Sequence, residues 1–257
     1  MSDTLLDSPA GSLIKTTLVD FPGIVASTIF LEGCNLRCPY CYNVSLVLGS
    51  TAPGAKDGKR DYPCATLREV IEHLEKRRAV LSGLVISGGE PLLNPRTPVL
   101  IREAKKLGYK IKLDTNGTLP DRLQQFCQDK ELRPDYIAMD LKTAPEKSAL
   151  LAARAAQKDA AVGRELAESI ARSAKIVSSF PTEQREWRTV LVPPLVQEND
   201  IEKMAALLPH DAHWYFAQFR NENCIDASYN EIDPYLDRDL KRLVSFAKTF
   251  IPGAELR

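Results

Sequence analysis

Cys34-Asn35-Leu36-Arg37-Cys38-Pro39-Tyr40-Cys41 decides how the rest of this chain is read. Three cysteines fall within eight residues in the spacing C-x3-C-x2-C, with an aromatic directly before the last. The run at 24–31, Ile-Val-Ala-Ser-Thr-Ile-Phe-Leu, precedes them. It is apolar and β-branched, the composition of a buried strand. Three thiolates can hold three irons of a [4Fe–4S] cluster, which usually takes four cysteines. A cluster short of one protein ligand keeps an iron open for a substrate or cofactor, which turns an electron carrier into a site for chemistry. The plainer alternative is structural zinc, which wants four ligands. No fourth Cys or His lies close by; Cys64 and His73 are distant in sequence.

Working outward, 257 residues are enough for one large domain or two small ones. Hydrophobic content of 44% and charged content of 26% allow a real core. Lys+Arg 34 against Asp+Glu 34 gives zero net charge, which argues against a protein held to nucleic acid mainly by phosphate contacts. Polar residues interrupt every apolar stretch well short of about 18 residues, so no membrane span is expected. No basic region followed by a long apolar core opens the chain, so no secretory signal is expected. Six cysteines in this length are not a disulfide scaffold. Three in one motif point to metal and a reducing, cytoplasmic setting.

No repeat or low-complexity tract is present. Strand-like and helix-like segments alternate, the pattern of a parallel α/β sheet. A looser stretch covers 49–63, with 56–60 read as a solvated loop. Thr66-x-x-Glu69 reads as a capping box, and Leu67, Val70, Ile71 and Leu74 form one buried helical stripe. A short strand at 84–86 feeds Ser87-Gly88-Gly89-Glu90-Pro91. Asn94 and Pro95 open the next helix, which Leu107-Gly108 closes. A strand at 110–113 leads into Asp114-Thr115-Asn116-Gly117. Then come a helix at 121–129, a strand at 136–141 and an Ala-rich helical region at 145–179. A strand at 187–192, a helix at 200–208, a strand at 214–219 and a helix at 234–250 close the chain. The count is about six β/α units, and a full eight-unit barrel takes about 250 residues. Long connections use up length here. The expected fold is therefore α/β, an incomplete (β/α)6 barrel with outer helices, as a single domain over 1–257 with its core at about 11–250. Ligands of such folds bind at the carboxyl ends of strands. The segments 34–41, 87–91, 114–117, 140–142 and 218–220 are expected to share one mouth.

Together these residues resemble the radical S-adenosylmethionine superfamily: C-x3-C-x-aromatic-C after the first strand, then Gly88-Gly89-Glu90-Pro91 after the second. Within it the chain is most similar to activating enzymes of glycyl-radical enzymes, above all that of anaerobic ribonucleoside-triphosphate reductase. The supporting stretches are Lys15-Thr16-Thr17-Leu18-Val19-Asp20-Phe21-Pro22-Gly23 and Lys76-Arg77-Arg78. Leu113-Asp114-Thr115-Asn116-Gly117, Ala138-Met139-Asp140-Leu141-Lys142 and Ala217-Gln218-Phe219-Arg220 continue it. One departure stands out: such activases usually read Cys-His-Asn where this chain has Cys41-Tyr42-Asn43. A phenol in place of an imidazole beside a cluster would change its outer hydrogen bonding or potential.

The resemblance implies a mechanism. Cys34, Cys38 and Cys41 bind three irons, and the fourth iron binds the amino and carboxylate groups of S-adenosylmethionine. The reduced cluster passes one electron to the sulfonium, giving methionine and a 5′-deoxyadenosyl radical. By the same resemblance Gly88 and Gly89 offer carbonyls to the methionine ammonium, with Glu90 as a nearby anion. Tyr40 and Val192 lie near adenine. Asp114, Thr115 and Asn116, with Asp140 and the Ala138 carbonyl, orient the ribose or hold a monovalent cation. Arg188 takes the methionine carboxylate because a guanidinium matches its geometry. Arg220 is a further candidate, and Lys142 serves cofactor or partner. The substrate is then a glycine in a loop of a partner enzyme, entering a slot lined by residues 16–23. The electron donor is a flavodoxin or ferredoxin-type carrier.

Plainer readings stand beside these. Residues 88–91 alone are a turn, and 114–117 alone an Asn-Gly turn. Arg188 and Arg220 alone are solvated charges. Cys127 lies on a helical stripe and reads as core, Cys64 as inert, and Cys224 as part of a polar loop. His73, His210 and His213 read as structural or exposed. For the whole chain the alternatives are an activase of another glycyl-radical enzyme such as pyruvate formate-lyase, a small-molecule radical enzyme like 7-carboxy-7-deazaguanine synthase, and an iron–sulfur module that does not turn over.

Overall fold

The computed structural model describes residues 3–49 and 63–257. The expected solvated loop at 56–60 lies outside the described residues. The main chain groups into two compact units: Met1–Asn35, Asn43–Thr115 and Gln124–Tyr136 form the first, and Leu36–Tyr42, Asn116–Leu123 and Ile137–Arg257 the second.

In the first unit α1 (Asp3–Leu6) precedes β1 (Pro9–Thr17), which runs antiparallel to β2 (Ala26–Leu31). β1 is absent from the sequence reading, because Pro9 and Gly11 weaken its strand signal and a cover strand has no place in a β/α alternation. Its register shifts between Ile14 and Thr17. At that bulge the Lys15 carbonyl accepts from Ser27 Oγ at 2.8 Å and lies 3.0 Å from His73 Nε2. His73 therefore serves the fold, as expected.

After α2 (Val44–Leu48) and the two-residue β3 (Ala65–Thr66) comes α3 (Leu67–Arg77). Its capping box is present in both directions; of the expected stripe Leu67, Val70 and Leu74 are buried and Ile71 half-buried. β4 (Gly83–Gly88) lies parallel between β2 and β5 (Lys110–Thr115), with α4 (Thr97–Lys106) joining the last two. The register pairs Leu31 with Gly88, so the loops that carry Cys34 and residues 89–91 leave their strands at one level.

Alternation along these strands separates two rows. Ile29, Leu31, Leu84, Ile86, Ile111 and Leu113 are buried and apolar. The opposite row holds Thr28, Val85 and Lys112 in register, then Phe30 with Ser87, and Asp114 follows Leu113 on β5. Buried Lys112 and Asp114 in this row are not ordinary core, since buried charges need partners. The segment 16–23 sits at the amino-terminal end of β2, with the whole strand between it and Cys34.

α5 (Pro120–Gln128) leads to β6 (Tyr136–Asp140), which opens the second unit. β6, β7 (Arg185–Leu191), β8 (Trp214–Gln218) and β9 (Ala254–Leu256) are successive parallel neighbours. The expected helical region at 145–179 divides into 3-10 turns at Pro145–Leu151 and Arg154–Ala156, followed by α6 (Ala160–Ser178). Asp159 sets the division by accepting from the Ala161 N–H at 2.8 Å, an N-cap inside what read as one helix. α7 (Glu198–Ala205) and α8 (Asp237–Lys248) complete the helices. The fold class is the expected one: α/β, mostly parallel, with the expected strands present as β2, β4, β5, β6, β7 and β8. Among the described residues no helix is long and apolar enough to cross a membrane.

Candidate functional site

The loop that carries Cys34 is held by backbone from three sides. Gly33 N–H donates to Leu46 O at 2.8 Å, Gly89 N–H to Leu31 O at 2.9 Å, and Glu90 N–H to Gly33 O at 2.8 Å. This packing needs two glycines. Gly88 has φ +116, and a Cβ there would stand 2.3 Å from Leu31 N and O. A Cβ on Gly89 would stand 2.0 Å from Gly33 O and 3.2 Å from Cys34 N. The sequence reading gives these glycines to a ligand. In the structure their lost side chains make room for the main chain leading into Cys34.

Glu90 is fully buried, and its Oε1 accepts from Leu92 N–H at 3.0 Å and Thr115 Oγ1 at 2.9 Å. It caps the 3-10 turn Pro91–Leu93 and ties the end of β4 to the end of β5. Asp114 accepts from Lys112 Nζ at 2.7 Å on one oxygen and Ser87 Oγ at 2.9 Å on the other. Lys112 was not among the sequence candidates. The available signal was its i, i+2 relation to Asp114 in a strand, which puts both on one face. Asn116 Oδ1 accepts from Thr118 N–H and Oγ1 at 3.0 and 2.6 Å, a local turn. The three oxygen-bearing residues 114–116 thus brace different neighbours.

In the second unit Cys41 N–H donates to Cys38 O at 3.0 Å, closing a turn over Pro39 and Tyr40. Tyr40 is buried and meets Phe219 edge-on at 6.5 Å. Burial drives its phenol pKa well above the usual range, so it stays neutral. Asp140 accepts from Arg188 Nε at 2.8 Å and Lys142 Nζ at 3.1 Å. Burial, the largest single influence, opposes a charge on Lys142, but Asp140, Tyr40, Cys38 and Cys41 together outweigh it, and the ammonium pKa is raised well above its ordinary value. The second unit thus gathers Cys38, Tyr40, Cys41, Asp140, Lys142 and Arg188. The Lys142 ammonium lies within electrostatic reach of both thiols of the turn.

For Asp140, burial alone would raise the pKa; Arg188 and then Lys142 outweigh it and bring the carboxyl from 3.8 to about 2. A folded-state value below the unfolded one stabilises above the unfolded pKa and is lost as pH falls through the folded one. Asp140→Asn is expected to flatten the loss of stability between about pH 4 and about pH 2. Thermal melts across that window check it. An acid limb identical to the parent's would show that the ion pair adds nothing to stability.

Val192 is buried just past β7, while Arg220 is exposed. Tyr42, at the position of the usual histidine, is 56% exposed. Cys127 is core, its thiol pushed up to about 11 by burial against a weaker pull from Arg133. Cys224 is buried rather than presented from a polar loop, and Cys64 is half-buried. Among the described residues no three His, Cys, Asp or Glu side chains gather around a point that would hold a single metal ion. A cluster places its cysteines on different irons, so it makes no such demand.

The family model of the Radical SAM superfamily matches residues 28–208. A Methanocaldococcus jannaschii protein, provisionally named as a glycyl-radical enzyme activating enzyme, is 28% identical over 249 residues, 95% of this chain and 94% of its own. A 7-carboxy-7-deazaguanine synthase from Hyperthermus butylicus is 35% identical over 130 residues, 49% of this chain and 47% of its own, so the chain matches about half of that enzyme. Among solved structures, TYW1 with a lysine-pyruvate adduct bound superposes with a TM-score of 0.56 at 16% identity, covering 89% of this chain and 76% of that one. This last likeness speaks to the fold alone.

Proposed function

This chain belongs to the Radical SAM superfamily, and on that premise we propose that it is an activase that generates a glycyl radical on a partner enzyme, in the cytoplasm. The observation that carries the reading is extent. Similarity to the Methanocaldococcus jannaschii activating enzyme runs through 95% of this chain, whereas similarity to the deazaguanine synthase stops at about half. The partner we propose is anaerobic ribonucleoside-triphosphate reductase, on the resemblance of 15–23, 113–117, 138–142 and 217–220. A flavodoxin or ferredoxin-type protein would supply the electron. The deazaguanine synthase match favours one second reading, a radical reaction on a small molecule.

Cys34, Cys38 and Cys41 would hold the cluster. None of them is in a disulfide. The donor set fits: three soft thiols, a glycine-packed loop under Cys34, a closed turn at Cys38–Cys41 and a cation near the turn. When bound, the reduced cluster supplies the single electron that cleaves S-adenosylmethionine. The chain's own residues bind and orient. The carbonyls of Gly88 and Gly89 would accept from the ammonium, with Glu90 acting through its buried cap rather than as a presented anion. Arg188, aimed by Asp140 through Nε, takes the carboxylate. Tyr40, a neutral apolar ring, and Val192 border the adenine. Thr115 and Asn116 shape the ribose corner, and Arg220 lies at its exposed rim. A monovalent cation at Asp114, Thr115 and Asp140 belongs to this reading too. It would have to share Asp114 with Lys112, and Asp140 with Arg188 and Lys142.

The test is anaerobic reconstitution with iron and sulfide, reduction, and addition of S-adenosylmethionine with the host's anaerobic reductase. Electron paramagnetic resonance is expected to show a glycyl-radical doublet that needs both proteins. Cys38→Ala should remove cluster and doublet while leaving the circular dichroism spectrum unchanged. Deoxyadenosine without a doublet would overturn the partner and point to another glycyl-radical enzyme or to the small-molecule reading. A doublet from Cys38→Ala would overturn the ligand assignment.

A further inference from the structure

The turn from Cys38 to Cys41 has no helix or strand to hold it. Buried main-chain carbonyls need donors, and two here are satisfied from far along the chain. Ile225 N–H donates to Cys41 O, and Asp226 N–H to Pro39 O, each at 3.0 Å. These two successive amides grip the residues on either side of Tyr40, whose ring already rests against Phe219 at the exit of β8.

The gripping segment is itself braced. Asn223 takes a positive φ of 54, a left-handed turn that asparagine tolerates. Cys224 is buried, and its N–H donates to Asn230 Oδ1 at 2.9 Å. Asn221 Nδ2 donates to the Asn230 carbonyl at 3.2 Å. Asp226 Oδ1 accepts from Ser228 N–H and Oγ at 3.0 and 2.7 Å. Asn230 is the hub: its side chain sets Cys224, and the next two amides are the ones that reach Cys41 and Pro39.

We propose that residues 221–231 are a positioning element for the cluster, with Asn230 as the positioning residue that holds Cys41 in its ligating conformation. The proposal rests on the reading that Cys41 binds an iron. Asn230 touches neither cluster nor cofactor. It acts by keeping two N–H dipoles on the carbonyls of the cysteine turn. Those dipoles offset negative charge beside the cluster, and hydrogen bonding of this kind tunes cluster potential.

The experiment compares full-length Asn230→Ala, Asn230→Asp and Asn221→Ala with the parent. In Asn230→Ala the apo-protein amides of Ile225 and Asp226 are expected to exchange about tenfold faster, as for one lost hydrogen bond. Iron per chain after reconstitution should fall by at least about half, and the remaining cluster should show a more negative midpoint potential. Asn230→Asp keeps an acceptor for Cys224 N–H and should restore amide exchange and iron content, while its added negative charge leaves the potential below the parent's. Asn221→Ala should shift all three readouts as Asn230→Ala does, by less, and it carries the test if Asn230→Ala does not fold. Faster exchange with parental iron content and potential would overturn the proposal, as would Asn230→Asp matching Asn230→Ala in exchange and iron content. Cys41→Ala separates the two assumptions. Full iron binding in that variant would sink the ligand reading itself, whereas its loss beside an unaffected Asn230→Ala would sink only the positioning role.

Discussion

Gly89→Ala is expected to yield a protein that does not take up its cluster. The main chain at Gly89 does not need a left-handed conformation; the obstacle is space. The new Cβ would stand 2.0 Å from Gly33 O and 2.5 Å from Gly33 C. Both atoms are backbone, so no side chain can rotate away. That same carbonyl accepts from Glu90 N–H at 2.8 Å, so relieving the clash breaks the bond that locks the loop. The next residue is Cys34. Overpacking of this kind costs about 3 kcal/mol where the backbone must shift, or about 6–12 °C in Tm for a chain near this size. The measurements are iron per chain after anaerobic reconstitution and a melting curve of the apo protein. Near-complete iron loading at a parental Tm would show that the loop under Cys34 adjusts freely, and the account of this motif as a backbone clamp would fail.

Lys112→Ala is expected to be the most destabilising single change in β5. Lys112 and Asp114 have side chains only 2% and 9% exposed and meet at 2.7 Å, with the ammonium 5.9 Å from the Tyr136 ring centre. Removing one partner of a buried pair costs about 3–5 kcal/mol, while replacing both by apolar groups of similar size often costs little. The double variant Lys112→Met/Asp114→Leu should therefore recover much of the loss in urea unfolding. The pair also reaches the cofactor loop, because Asp114 holds Ser87 Oγ immediately before Gly88. A single-variant loss below about 1 kcal/mol would mean that the pair is solvated rather than buried.

Much of the site was legible in the sequence because its signals are short-range. Cys34, Cys38 and Cys41 are recognisable by spacing, Thr66 and Glu69 by their capping box, and Leu67, Val70 and Leu74 by helical period. Each depends on residues within a turn or two of one another, whose geometry the local backbone dictates. The same holds for the strands at 84–86 and 110–113, whose apolar residues follow the strand period. Local rules were less reliable where a cap interrupts a uniform run, as Asp159 does ahead of α6, and where a strand pairs outside the β/α alternation, as β1 does.

What a side chain does at the end of its strand was a different matter. Glu90 looked like an anion offered to a ligand and is a buried cap for Leu92 and Thr115. Asp140 and Arg188 are 48 residues apart and meet only because β6 and β7 pair in the register that sets them opposite. Cys41 and Pro39 take their donors from Ile225 and Asp226, in a loop whose composition reads as merely polar. The sequence by itself determined most of the elements and the candidate ligand set, since periodicity, caps and spacing are properties of neighbours. Only the tertiary structure decided which buried polar group satisfies which, because that choice follows from strand register and loop docking between segments far apart in the chain.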